Sequence, residues 1–351
     1  LIPLAAALAA GNAVVLNAGL TAAGVAGRLF GLLLDAGLPA RVAHLLFGDA
    51  TVSAAIAGHP DISVVASLGT AEQTRHIAAA AHGAATPAGA ACKRLLLLTK
   101  GVNTVIVDEN TDLDEAVLGT LASGLTFAGQ GPDACSRVVV VGAAYERFRN
   151  RLIAAAREFS VGPPEDPSHS MGPLVSDEAM AAARSAVQAA QAAGRVLVER
   201  RHDELFARTG GFFFGPVVVE VASRPCDAPH GMDCAAPILM LFHAPTLEAA
   251  MEMLHEGGPA GVGVFYSRSP ENIQHVRRAF RGSALFINRR STAGIVDRQP
   301  IGGARSASCG PPAGGADYLR AFMDVRIVSE NVMRHGLTPV EEPEPEHAGA
   351  H

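Results

Sequence analysis

Gly11-Asn12-Ala13-Val14-Val15-Leu16 is the stretch whose reading decides the fold. A short apolar run stands between a Gly-Asn step and a Gly-containing turn, which is the pattern of a parallel strand buried on both faces. Ahead of it, Leu1 to Ala10 imitates the apolar core of a signal peptide but has no basic start. Leu1 is not an initiator Met, so the chain reads as beginning inside a longer protein, with this run as a buried helix. Gly11-Asn12 also interrupts the apolar run well short of the ~20 residues that a membrane span needs.

Downstream the alternation continues. Residues 21–36 carry Leu29, Phe30, Leu32 and Leu33 at helical spacing and stop at Gly37-Leu38-Pro39. Residues 42–47 read as a second strand, followed by the turn Gly48-Asp49 and an Ala-rich helix to Gly58-His59-Pro60. Residues 62–66 read as a third strand and 70–81 as the helix after it. Strand–helix alternation with such short turns predicts an open parallel sheet covered on both faces.

From Thr104 the character changes. Residues 104–107 and 138–141 are strands, Asp112-Leu113-Asp114 opens a helix with acids at its N-terminus, and helices follow over 145–159 and 177–194. Residues 217–219 and 238–241 are strand-like. The acidic, Pro-rich tail over 337–351 reads as disordered. With 351 residues and 49% hydrophobic composition, two domains are expected. A net charge of −6 leaves no basic footprint, so nucleic acid is not an expected partner. Five scattered cysteines without a C-x-x-C pair suggest neither a metal site nor a disulfide framework, but reduced thiols in the cytoplasm.

Several landmarks, in order, carry a family resemblance. Residues 7–16 resemble the A-L-A-A-G-N-A-V-V-L strand of aldehyde dehydrogenases. Val161-Gly162-Pro163 with Met171-Gly172-Pro173-Leu174, Gly211-Phe212-Phe213, and Gln299-Pro300-Ile301-Gly302-Gly303 resemble further motifs of that family. Gly129-Gln130-Gly131-Pro132-Asp133-Ala134-Cys135-Ser136-Arg137 resembles the G-Q-x-C-S-x-C-S-R loop of its Δ1-pyrroline-5-carboxylate (glutamate semialdehyde) dehydrogenases. Residues 287–296 and Ala313-Gly314-Gly315 resemble two more motifs of that subfamily. The resemblance implies an α/β fold: the C-terminal part of a Rossmann-type NAD(P) domain over 1–100, and an α/β catalytic-type domain over 101–303. Both have mainly parallel sheets. A return segment with an oligomerisation strand follows over 304–336. Family members carry more chain upstream, including an Asn that donates to the oxyanion.

The family reaction needs a thiolate to add to the aldehyde, donors for the oxyanion, hydride transfer to NAD(P)⁺ and a base for water. In register, the nucleophilic cysteine falls on Pro132 and the general base on Leu98. Neither can perform the step, and loss of a nucleophile costs about 10⁶ in turnover in another enzyme class. Cys135 is the fallback nucleophile, though the family pattern already has a non-nucleophilic cysteine there. The NAD(P) positions that the resemblance implies are Asn17, in place of a ribose-contacting lysine, Gly69 and Thr70 at a helix start, and Asp233, in place of a ribose-binding glutamate. NAD(P) binding is expected to be weak or absent. The substrate-carboxylate loop keeps Gly314 and Gly315, but the serine that shares the task is Asp133.

Residues 320–328 resemble the family's C-terminal oligomerisation strand, and their alternation supports a strand with one apolar face. A homo-oligomer or partner chain is expected there; a small aldehyde is the other candidate ligand. Three readings follow, the last a decaying gene fragment with no selected function. One is an inactive dehydrogenase-like domain with a structural or assembly role, in which Cys135 is buried and the cleft filled. Another is an active NAD(P)-dependent enzyme, in which Cys135 is solvent-reachable beside a nicotinamide-sized cleft.

Overall fold

The computed structural model describes residues 1–83, 92–225, 234–256, 258, 260–302 and 308–331. The first third alternates as α1 (Ile2–Ala9), β1 (Val14–Ala18), α2 (Ala23–Asp35), β2 (Ala43–Phe47), α3 (Ala50–Gly58), β3 (Val64–Gly69), α4 (Ala71–Gly83) and β4 (Arg94–Thr99). The middle runs β5 (Val102–Val107), α5 (Leu113–Leu125), β6 (Arg137–Val141), α6 (Ala144–Glu158), α7 (Asp177–Ala193), β7 (Gly194–Glu199), α8 (Asp203–Thr209) and β8 (Val217–Val221). It closes with β9 (Ile238–Ala244), α9 (Leu247–His255), β10 (Ala260–Tyr266), α10 (Pro270–Ala279), β11 (Ala284–Ile287), β12 (Ser308–Cys309) and α11 (Ala316–Arg320).

The core is a seven-stranded sheet in the order β11-β10-β5-β6-β9-β8-β7, parallel except that β7 runs against β8. Its central strands are rich in Val and Ile because helices cover both faces: every residue of β5 and of β6 is buried. The helices start where short polar side chains satisfy their first N–H groups. Asp112 accepts from Asp114 and Glu115 N–H at 3.1 and 3.2 Å, and Ser176 accepts from Ala179 N–H at 3.2 Å.

The first third departs from the expected single open sheet. β1 and β2 pair in parallel by themselves, while β3 and β4 form a separate sheet that β12 joins antiparallel to β4. The return segment therefore contributes to the first region. β4 is not among the strands read from the sequence; its Leu95-Leu96-Leu97-Leu98 run pairs residue for residue with β3. α1 forms where expected but buries only Leu4 and Ala7.

Residues 320–328, expected as a strand that pairs with another chain, pair with no strand of this chain among the described residues. Arg320 ends α11. Phe322 turns inward against Tyr318 at 5.4 Å between ring centroids, whereas Val325 and Ile327 are 93% and 88% exposed. Alternation alone makes no strand without a neighbouring edge to bond to. The segment is held instead by Arg94, which donates to the Ala321 and Met323 carbonyls and pairs with Asp324 at 2.8 Å.

Candidate functional site

A cavity of about 670 Å³ opens at the carboxyl ends of β1, β3 and β4, where open parallel sheets place their ligands. Asn17 closes β1 there, Ser67 and Leu68 close β3, and Leu97 and Leu98 close β4. Pro132 enters from the loop after α5, and Ile295, Val296 and Ile301 form the far wall. The structure thus brings Leu98 and Pro132, where the resemblance puts the base and the nucleophile, to one cavity.

The loop that carries Pro132 is cross-braced. The Asn103 amide donates to the Pro132 and Ala134 carbonyls at 2.8 and 2.9 Å, and its Oδ1 accepts from Val262 N–H at 2.7 Å. Cys135 N–H donates to the Ser123 carbonyl at 2.9 Å, and Ser291 Oγ donates to the Asp133 carbonyl at 2.7 Å. The loop begins with Phe127 and Ala128 at φ of 55° and 54°, in the left-handed region. Gly129 follows at φ 69°, where a Cβ would collide with the Ala236 carbonyl.

Cys135 is 1% exposed, its Sγ 3.5 Å from Ser291 Oγ, and it belongs to the hydrophobic core. The structure divides the expectations attached to the first two readings: the thiol is buried, yet the cavity is open. Asp133 folds its carboxyl back toward Gly131; burial pushes the carboxyl above its usual range, against smaller opposing effects from its own backbone N–H and Lys100.

The other sequence-picked residues fall on two sides. Asn17 lines the cavity and donates to Ser53 Oγ at 2.7 Å, while its Oδ1 has no partner among the described residues. Gly69 ends β3, and Thr70 and Gln73 form a reciprocal capping box at the start of α4. Thr70 N–H donates to Gln73 Oε1 at 3.0 Å, and Gln73 N–H to Thr70 Oγ1 at 3.2 Å. A Cβ at Gly69 would stand 2.7 Å from Gln73 Oε1, so glycine permits that return. Gly314, at φ 88°, and Gly315 lie just beyond Ala313, which lines the cavity; Gly315 N–H is turned to the Pro312 carbonyl at 3.3 Å. Asp233 lies outside the described residues.

Two lining residues were missed. Asp49 caps α3, accepting from Thr51 and Val52 N–H at 2.9 and 3.3 Å; those bonds, Val52's first, hold its carboxyl below the usual carboxylate range. The signal was present, since Asp ahead of an Ala-rich helix is a strong N-cap. Cys309 borders the cavity through the β12–β4 pairing, a long-range contact that no local motif announces. Among the described residues the cavity wall contains no Lys or Arg. Among the same residues no His, Cys, Asp and Glu cluster could hold a metal, no helix is long and apolar enough to cross a membrane, and no disulfide forms.

A profile of the aldehyde dehydrogenase family matches residues 1–328. A 1-pyrroline-5-carboxylate dehydrogenase of Geobacillus sp. (strain WCH70) is 29% identical over 332 residues, 93% of this chain and 62% of that protein. Among solved structures, proline utilization A from Bdellovibrio bacteriovorus superposes with a TM-score of 0.88 at 32% identity, over 96% of this chain and 34% of that one. A Thermus 1-pyrroline-5-carboxylate dehydrogenase with bound NAD gives 0.82 at 29% identity, over 90% of this chain and 60% of that one. The chain spans less than two thirds of the length of the relatives it matches.

Proposed function

The chain belongs to the aldehyde dehydrogenase family, and on that premise we propose that it is a non-catalytic domain of the 1-pyrroline-5-carboxylate dehydrogenase type, with a structural or assembly role in proline catabolism in the cytoplasm. The observation that carries this reading is that Pro132 and Leu98 line the same cavity. These are the positions where the family resemblance puts nucleophile and base. A pyrrolidine ring and an isobutyl group can neither add to a carbonyl nor take a proton from water.

The surroundings do not fit a dinucleotide either. Helix N-termini bind phosphate through free N–H groups and the positive end of the dipole. Here the start of α3 is filled by the charged Asp49 and the start of α4 by the Thr70–Gln73 box. A pyrophosphate would meet a carboxylate, with no lining Lys or Arg among the described residues to offset it. Exposed Val325, Ile327 and Val328 support assembly with a partner chain or a second copy.

Calorimetric titration of NAD⁺ and NADP⁺ tests the reading. The expected result is no saturable heat. Saturable one-to-one binding in the micromolar range would overturn the cofactor part of it and reopen the alternative, an active dehydrogenase using Cys135.

A further inference from the structure

We infer that the cavity at the carboxyl ends of β3 and β4 is a binding site for a neutral aliphatic small molecule, a use that rests on the non-catalytic reading of Pro132 and Leu98. The observation behind it is a set of aliphatic side chains that the fold leaves uncovered at one place. Leu68, Ile295 and Val296 are 59%, 53% and 61% exposed, come from two distant parts of the chain, and all line this cavity. Single apolar residues scattered on a surface need no explanation, but a group of them around one concavity marks a ligand site.

Strand register builds the apolar wall. Leu68 of β3 stands opposite Leu98 of β4, and Leu98 opposite Ser308 of β12, so the row crosses the whole three-stranded sheet. Leu98 lies over Gly302, where a Cβ would stand 2.9 Å from Leu98 Cδ1; at φ 101° that position also suits glycine. A Cβ on Gly314 would stand 3.6 Å from Val296 Cγ1, and Asp297 N–H donates to the Gly314 carbonyl at 2.8 Å, which fixes the loop carrying Ile295 and Val296. Pro132 and Ile301 complete the wall. The volume of about 670 Å³ admits a chain of several carbons together with its polar end.

Charge decides what the polar end can be. Toward β1 and the starts of α3 and α4 the lining turns polar, with hydrogen-bonding groups on Asn17, Ser53, Ser67 and Gln73. Asp49 lies there too, and among the described residues no Lys or Arg lines the cavity. A ligand carboxylate or phosphate would give up its water with no guanidinium or ammonium to receive it, and would meet the Asp49 carboxylate. A hydroxyl gives up far less and finds partners. The occupant is therefore uncharged, with its alkyl part on the Leu98 side and its polar end toward β1. On this reading the pyrrolidine ring of Pro132 and the isobutyl group of Leu98 are contact surface, and their inertness is what suits them to it.

The test follows backbone amide resonances while straight-chain butanol, hexanol and octanol are titrated in, with hexanoate and octanoate beside them. Titrations run at about pH 8, since His76 is the one lining side chain among the described residues that can turn cationic. The alkanols should saturate one site, shift the amides of Leu97, Leu98 and Ile301, and bind about fourfold tighter for each added methylene. Each carboxylate should bind at least about tenfold more weakly than the alkanol of its length. Leu98→Gln should weaken octanol binding by about fivefold or more; should that variant fail to fold, Val296→Asn, at an exposed position, gives the same reading. Affinity flat with chain length, carboxylates bound as tightly as alkanols, shifts confined to Val325 and Ile327, or binding that the variants leave unchanged would overturn the inference. It fails separately from the non-catalytic reading, which the NAD(P) titration decides.

Discussion

Asn103 holds Pro132 in place: its side-chain amide donates to the Pro132 carbonyl at 2.8 Å and to the Ala134 carbonyl at 2.9 Å, from a residue with no exposed surface. The loop in which the family resemblance looks for a nucleophile is thereby pinned to β5, with Cys135 sealed behind it. Replacing Asn103 by alanine orphans two carbonyls and the Val262 N–H in the core. At roughly 1–3 kcal/mol per unsatisfied group, Asn103→Ala should lower unfolding stability by about 3 kcal/mol and open Cys135 to thiol reagents. Denaturant titration with site-resolved labelling checks both; a loss below about 1 kcal/mol with Cys135 still sealed would show that the brace is not what holds the loop.

The same burial sets an order of thiol reactivity. Cys92 and Cys309 are exposed, and Cys135 is in the core. A maleimide, with peptide mapping, should modify Cys92 and Cys309 in the native protein and Cys135 only after denaturation. Native-state modification of Cys135 at the rate of Cys309 would contradict the structure.

Much of this was legible beforehand, for a physical reason. β5, β6 and β9 are largely buried on both faces and so announce themselves through the apolar runs 105–107, 138–141 and 238–242, and the helix starts carry Asp, Ser or Thr caps. β4 was not legible because four leucines in a row suit helix and strand alike, and only pairing with β3 decides. Residues 320–328 carry a strand's alternation, and the edge expected for them belongs to a second chain. That Leu98 and Pro132 share a cavity follows from long-range topology, as does the presence of Cys309 beside them.

Asp133 gives a pH signature. Burial raises its folded-state pKa above the ordinary 3.8, so the folded chain binds this proton more tightly than the unfolded chain does. Its stabilising contribution is complete below about 3.8 and is lost as pH rises through the raised value. Asp133→Asn should therefore be more stable than the parent at neutral pH, with the difference closing as pH falls through the raised value and gone below about 3.8. Chemical denaturation across pH measures it; an unchanged or reversed gap at neutral pH would contradict the assignment.

The capping box at α4 is open to direct removal. Thr70→Ala loses the side-chain oxygen that accepts from Gln73 N–H and should cost about 1 kcal/mol. Equilibrium unfolding reports the loss, and a change within about 0.3 kcal/mol would mean that the box does not close this helix start.

The account stands or falls on whether the cavity performs aldehyde oxidation. The direct measurement is NAD(P)H formation by the chain with glutamate semialdehyde and with simple aliphatic aldehydes, run beside Cys135→Ser and Cys309→Ser. With Pro132 and Leu98 where the resemblance puts nucleophile and base, no formation above the protein-free rate is predicted for any of the three proteins. Turnover that a cysteine replacement abolishes would contradict the account and identify the thiol responsible.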